Sequence, residues 1–280
     1  MPSFSRRTCF LLALLLSSNA LAGEGYIIGI GAEGDTSDSL SYSAFGDFGV
    51  GKNTWISVTA AKAQAEGVIS ELNTAYGDLG LDHNFDPIGV RIGVAYWGDE
   101  DILDSFDIRG SLYLRTKTLS ISTDYEKRNF DFIFNLQPTS ERRQVGFEAD
   151  GYGLNIRANA SERVGLFVRG MRYDYSVDLT KLQNISDLSF LSASRLSLAN
   201  SLLDYRADAG IEFKFGLNLL SFEVGRSQTA IDSGGVTSYS VGFLFPASDA
   251  SDMELRVGYD DSENFGGTTV LSFFWFFYGT

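Results

Sequence analysis

Cysteine is nearly absent from this chain. The single one, Cys9, stands at the beginning of an apolar run over residues 9–16. That run belongs to a stretch that reads as a secretory signal, with Arg6 and Arg7 as its positive start and Ala20-Leu21-Ala22 as its small-residue cleavage site. Cleavage after Ala22 leaves 258 of the 280 residues, with no thiol among them. Disulfides are thereby excluded. Cys9 opens the apolar run rather than following it, which speaks against a lipoprotein. The remaining chain must hold together by packing or by a closed hydrogen-bonded barrel.

Histidine is as scarce: His83 is the only one. With no second histidine and no thiol, a zinc site lacks its usual ligands. Acidic groups cluster at Asp99-Glu100-Asp101 with Asp104, at Asp249 and Asp252, and at Asp260-Asp261 with Glu263. None has the spacing of a twelve-residue calcium loop, so solvated loop charge is the plain reading. No metal and no cofactor is expected. Positive charge is also short, 22 basic against 36 acidic residues, and the net −14 becomes −16 once Arg6 and Arg7 are removed. That balance argues against nucleic acid or an anionic lipid surface as partner. No run approaches 18 apolar residues, so no helix is expected to span a membrane.

What the chain does have is alternation. From Leu203 to Phe215 every odd position is apolar (Leu203, Tyr205, Ala207, Ala209, Ile211, Phe213, Phe215) and every even one is charged or glycine. A period of two is a strand with one greasy and one polar face. Thirteen such residues exceed the roughly 9–11 that a tilted strand needs to cross a bilayer; a soluble strand shows about 5–6. On the polar face, Gly210 reads as a position where a larger side chain is tolerated.

The pattern recurs along the chain. Candidate strands cover residues 26–32, 40–50, 55–61, 76–85, 89–97 and 105–115. A seventh begins at Leu119 and continues through Phe130, Phe132 and Phe134 after a slip of phase. An eighth, 145–159, changes phase near Asp150-Gly151 as a β-bulge would. Further strands cover 164–177, 203–215, 219–229, a segment from Tyr239 to Phe245, one from Met253 to Tyr259, and 268–278. Residues 62–75 read as a helical or irregular loop. The count is fourteen, or twelve if the fourth and seventh candidates fail. Connections alternate between short (51–53, 86–87, 116–118, 160–162, 216–218) and longer, more polar ones. Thirty glycines and 14% aromatics suit many strands and tight turns. The prediction is all-β: a transmembrane antiparallel up-and-down β-barrel over residues 23–280, with short turns on the periplasmic side and longer loops outside.

With its signal, its alternating hairpins and its aromatic last strand (Val270-Leu271-Ser272-Phe273-Phe274-Trp275-Phe276-Phe277-Tyr278), the chain resembles the Gram-negative outer-membrane β-barrels, in length the small monomeric porin-like ones. Gly279-Thr280 follow the last aromatic. It differs from fatty-acid transporters of equal strand number in leaving no hatch before the first strand. The resemblance implies an outer-membrane location, contact with outer-membrane lipid and lipopolysaccharide, and recognition of the last strand by the barrel-insertion machinery. It names no solute and no oligomeric state.

The phase of the strands assigns a lumen-facing set: Asp47, Arg91, Asp107, Arg109, Arg115, Glu148, Arg157, Asp204, Arg206, Asp208, Glu212, Lys214, Glu223, Glu254 and Arg256. Eight acids and seven bases make a nearly balanced wall, with the excess negative charge in loops and mouths. Either these charges line water and set ionic selectivity, or they pair across a narrowed lumen. Width favours water, because an eight-stranded barrel is already filled by side chains. The longest connection, residues 178–202, is apolar (Leu179, Leu182, Ile185 and Leu188, then Phe190, Leu191, Leu196 and Leu198). It either caps the rim or folds inward as a constriction.

The expected function is a passive channel for small hydrophilic solutes with a mild cation preference. The alternative is a non-conducting structural or surface-interaction barrel with a charge-paired, blocked lumen. A lipid-cleaving barrel enzyme comes third, because His83 sits beside the periplasmic turn Asp86-Pro87, far from an outer-leaflet site. No catalytic residue is assigned.

Overall fold

A computed structural model describes residues 25–66, 71–99, 103–136, 141–179, 202–264 and 266–279. The candidate signal, residues 1–22, lies outside the described residues, as do Glu100 and Asp101 and residues 180–201 of the long connection. The first strands are β1 (Tyr26–Asp35), β2 (Leu40–Gly49), β3 (Thr54–Glu66), β4 (Glu71–Asn84) and β5 (Ile88–Asp99). Then come β6 (Leu103–Arg115), β7 (Leu119–Leu136), β8 (Glu141–Asn159), β9 (Val164–Tyr175) and β10 (Leu203–Phe215). Last are β11 (Asn218–Thr229), β12 (Gly235–Ser248), β13 (Ser251–Ser262) and β14 (Gly266–Gly279).

Every strand pairs antiparallel with its sequence neighbours, and β1 closes on β14 from Tyr26↔Gly279 to Asp35↔Val270. Fourteen strands therefore form one closed barrel, and the twelve-strand alternative falls away. Closure leaves no edge with unpaired backbone groups, which is what a strand protein in lipid requires. The outer wall carries the apolar half of each alternation. Val90, Ile92 and Val94 of β5, Ile108 and Leu112 of β6, and Val241 and Val257 of β12 and β13 are all exposed.

Three local readings of the sequence change. Residues 62–66 and 71–75 are strand and not a helical loop: β3 and β4 stay in register from Ala61↔Tyr76 up to Glu66↔Glu71, and residues 67–70 lie outside the described residues. The seventh strand has no slip and the eighth no bulge, because β7 and β8 pair without a shift from Leu119↔Ala158 to Leu136↔Glu141. What changes is the surroundings. Towards the short-turn end, periplasmic in the topology expected from the sequence with the opposite end external, β7 turns Ile121, Thr123 and Tyr125 outward; further up, the same face carries Lys127, Asn129 and Asp131 while Phe130 and Phe132 are buried inside. The wall has risen out of the apolar belt, so its outer face is wetted and its inner face becomes a core. Lys62 and Gln64 outside, with Ala63 and Thr74 buried inside, repeat the inversion on β3 and β4.

That core lies within the external end of the barrel: Ala63, Trp97, Leu103, Phe130, Phe132, Phe147 and Ala149 from the strands, with Leu179, Leu202 and Ile231 from the connections. Phe130 and Phe147 stack with centroids 4.8 Å apart and 15° between planes. Leu179 and Leu202, the described ends of the longest connection, are thus tucked inward.

Candidate functional site: the charged lumen

Inner-facing side chains follow from the register. Asp47 of β2 stands opposite Ser57 of β3, and Ser57 opposite Gly80 of β4. Asp82 of β4 stands opposite Arg91 of β5, and Arg91 opposite Ser111 of β6. Continued around the ring, this phase puts thirteen of the fifteen anticipated residues on the inner side; Asp204 falls in the register shift of β10, which assigns it no phase. Glu148 faces the other way. Because β8 carries no bulge, Glu148 shares the outer face with Lys127, whose Nζ donates to it at 2.7 Å; the two side chains are 54% and 38% exposed.

Most inner charges are cross-strand ion pairs. Arg91 donates through Nε (3.1 Å) and Nη2 (2.9 Å) to Asp82, which also accepts the Tyr113 hydroxyl at 2.5 Å. Arg109 pairs with Asp78. Arg157 clasps Glu212 with two bonds of 3.0 and 2.8 Å. A longer ladder climbs the opposite wall: Arg206 and Arg169 both reach Asp208 at 2.9 Å, and Arg169 also reaches Glu223 at 2.7 Å. Arg256 joins Glu223 at 3.4 Å to Glu254 at 2.9 Å. Asp107 and Arg128, 3.3 Å apart, differ from the rest because both are almost fully buried beneath the external aromatic core. The Arg128 guanidinium lies 4.7 Å from the Phe130 ring centre.

Lys214 sits inside at the periplasmic end of β10, and Asp204 beside the register shift at its other end. Asp78, Asp82, Asp124, Glu126, Arg128 and Arg169 join the inner wall although the sequence reading did not assign them. Leu79 and Leu81 outside β4, and Leu166 and Val168 outside β9, carried the signal for Asp78, Asp82 and Arg169. On β7 the supposed slip of phase hid Glu126 and Arg128, while Asp124 sits on the face opposite Ile121, Thr123 and Tyr125 and was legible from that alternation.

These walls enclose a cavity of about 1130 Å³ reaching from Ile27, Asp47, Trp55 and Arg115 near the periplasmic end to Tyr173 and Arg206 further up. A lumen of this size and polarity can hold water and hydrated solutes. On the β1–β2–β14 side, Phe45 and Phe276 pack with centroids 5.6 Å apart and narrow the interior. His83 is outside it. It faces outward beside the turn at Asp86-Pro87, with Nδ1 2.7 Å from the Thr54 hydroxyl and its ring edge-on to Phe85 at 4.4 Å. That is an interfacial environment. Among the described residues, no group of three His, Cys, Asp or Glu side chains is arranged to hold a metal.

No family model and no curated protein matches the sequence. Solved structures do match. The barrel superposes on the CymD monoaromatic hydrocarbon channel with a TM-score of 0.62 at 12% identity, covering 91% of this chain and 88% of the other. A Pseudomonas aeruginosa FadL homologue gives 0.54 at 8% identity, over 90% and 89%. An outer membrane protein of Vibrio cholerae, OmpT lacking loop L8, gives 0.52 at 8%, over 92% and 100%. The fold is that of the Gram-negative outer-membrane barrels. At these identities the likeness carries architecture only.

Proposed function

We propose that this protein is an outer-membrane channel through which small hydrophilic solutes pass by diffusion, with a mild preference for cations. The observation that carries the reading is the charged cavity of about 1130 Å³ inside a barrel whose outer wall is apolar. Nothing about folding requires so many charges to face inward; burying them dry would cost several kcal/mol per ion. Half-exposed Arg91 and Arg157 indicate that water reaches them, and wet charges cost little. The signal-like residues 1–22 and the aromatic β14 support export and insertion into the outer membrane, with lipid and lipopolysaccharide as surroundings. The role proposed is transport without chemistry, since His83 has no access to the lumen.

The test is single-channel recording of the refolded protein in planar bilayers. Steady ohmic conductance supports the channel; silence from correctly folded barrels overturns it. A second reading, a closed barrel with a structural or surface-interaction role, draws on one specific observation. Inner-facing Trp97, Leu103, Phe130 and Phe147 are all buried at the external end. Silence is the result that reading expects.

A further inference from the structure

We propose that three carboxylates of the inner wall, Asp47, Asp124 and Glu126, make the lumen itself the cation filter of this barrel. The inference rests on the channel reading and deepens it by naming where its selectivity resides.

Most charges facing the cavity cancel locally. Arg91 is matched by Asp82, Arg109 by Asp78, and Arg169, Arg206 and Arg256 by Asp208, Glu223 and Glu254. The remainder is acidic. Among the described residues no base lies within 4.0 Å of Asp47, Asp124 or Glu126. Asp124 accepts the hydroxyls of Ser111 (2.5 Å) and Ser122 (3.2 Å), and Glu126 accepts that of Tyr173 (2.7 Å). Such neutral donors hold a carboxylate in place without bringing a positive charge to it. All three acids face the same cavity, where Arg115 is the one base without an ion pair among the described residues. Its guanidinium lies 5.2 Å from the Tyr113 ring centre, near the periplasmic mouth. Three unpaired acids against one such base leave this cavity net negative; Lys214, the other inner base without an ion pair among the described residues, lies outside its lining.

Position then separates this filter from charge at the mouths. Exposed mouth charges are screened over about 8–10 Å at physiological salt and about 3 Å at 1 M. Inside a confined lumen the permeant ion is itself the counterion, so internal carboxylates keep their bias as salt is raised. The favoured solutes are small monovalent cations, inorganic or ammonium.

The experiment is the reversal potential across a KCl gradient, measured at low and at molar salt, for the wild type, for Asp47→Asn, and for Asp124→Asn combined with Glu126→Gln. Heat-modifiable gel mobility checks that each barrel is folded. Asp249→Asn combined with Asp261→Asn serves as the mouth control. The expected result is a cation-selective wild type at both salts, with reversal potentials falling towards zero in the inner variants. The mouth variant should shift only at low salt. A conducting barrel whose selectivity ignores the inner variants, or vanishes at molar salt, overturns the inner filter while leaving the channel intact. A folded wild type that conducts nothing overturns the channel reading and the filter with it.

Discussion

The ring of Phe167 on β9 occupies the space that a Cβ on Gly210 of β10 would need. The two are cross-strand partners on the inner face, so the aromatic lies flat over a glycine and neither position is free to change alone. This overturns the expectation that an inward Gly210 tolerates a larger side chain. Gly210→Ala is expected to destabilise the barrel by about 1–3 kcal/mol through overpacking. Phe167→Ala in the same chain should restore part of the loss, because the Phe222 carbonyl oxygen, 2.7 Å from the same Cβ position, stays in place. Urea refolding of both variants checks this, and equal tolerance of Gly210→Ala in either background would refute it.

One residue earlier the opposite face meets lipid. Ala209 stands across from Val168 and Val224, both exposed on the outer wall. An arginine there should cost about 2–4 kcal/mol near the bilayer midplane. The measurement is folding free energy in lipid vesicles, with Ala209→Leu as the comparison; a neutral Ala209→Arg would reverse the assignment of faces.

β10 was legible in the sequence because from Tyr205 to Phe215 its apolar residues meet one environment and its charges another; Leu203, beyond the register shift, is buried. The lipid-facing stretches of β5, β6 and β11 read the same way. Legibility failed where a strand crosses from lipid to water. Lys127 outside and Phe130 inside break the lipid-facing alternation although the backbone never shifts, and a slip of phase is the cheapest reading of such a string. That reading hid Glu126, and the matching bulge read at Asp150-Gly151 misplaced Glu148. Pairing was beyond reach for a different reason: which acid meets which arginine depends on the stagger between strands, and no single strand encodes it.

Two inner ion pairs should respond very differently to loss of one partner. Asp107→Asn breaks the ion pair of Arg128, 5% exposed, and the cost expected is about 3–5 kcal/mol. Arg91→Gln opens a pair whose side chains are 54% and 23% exposed and leaves Asp82 the Tyr113 hydroxyl, and about 0–1 kcal/mol is expected. Chemical denaturation of the two variants side by side distinguishes them, and comparable losses would contradict the contrast in burial.

At the outer rim, Glu263 accepts the Arg226 guanidinium and the Gly235 backbone N–H, which hold its carboxyl below the usual glutamate range. A depressed value in the folded state means that the contact stabilises above the ordinary glutamate pKa and is lost as pH falls through the lowered one. Glu263 is exposed, so the effect is local. Acidification is expected to raise hydrogen exchange at the Gly235 amide once corrected for intrinsic rate, and Glu263→Gln should remove the dependence. A corrected rate that stays flat across that range would rule the contact out as its source.

The stacked pair Phe130 and Phe147 links stability to passage. Phe130 is 2% exposed and belongs to the core that fills the external end, together with Leu179, Leu202 and Ile231. Removing its ring should cost about 3–5 kcal/mol, the usual range for a buried Phe→Ala. It also opens space on the side of the lumen that these side chains obstruct. Phe130→Ala is therefore expected to lower stability and raise single-channel conductance together, while Phe130→Leu, which keeps most of the apolar volume, should change both much less. If Phe130→Ala weakens the fold yet leaves conductance at the wild-type level, the aromatic core lies beside the solute path and does not narrow it.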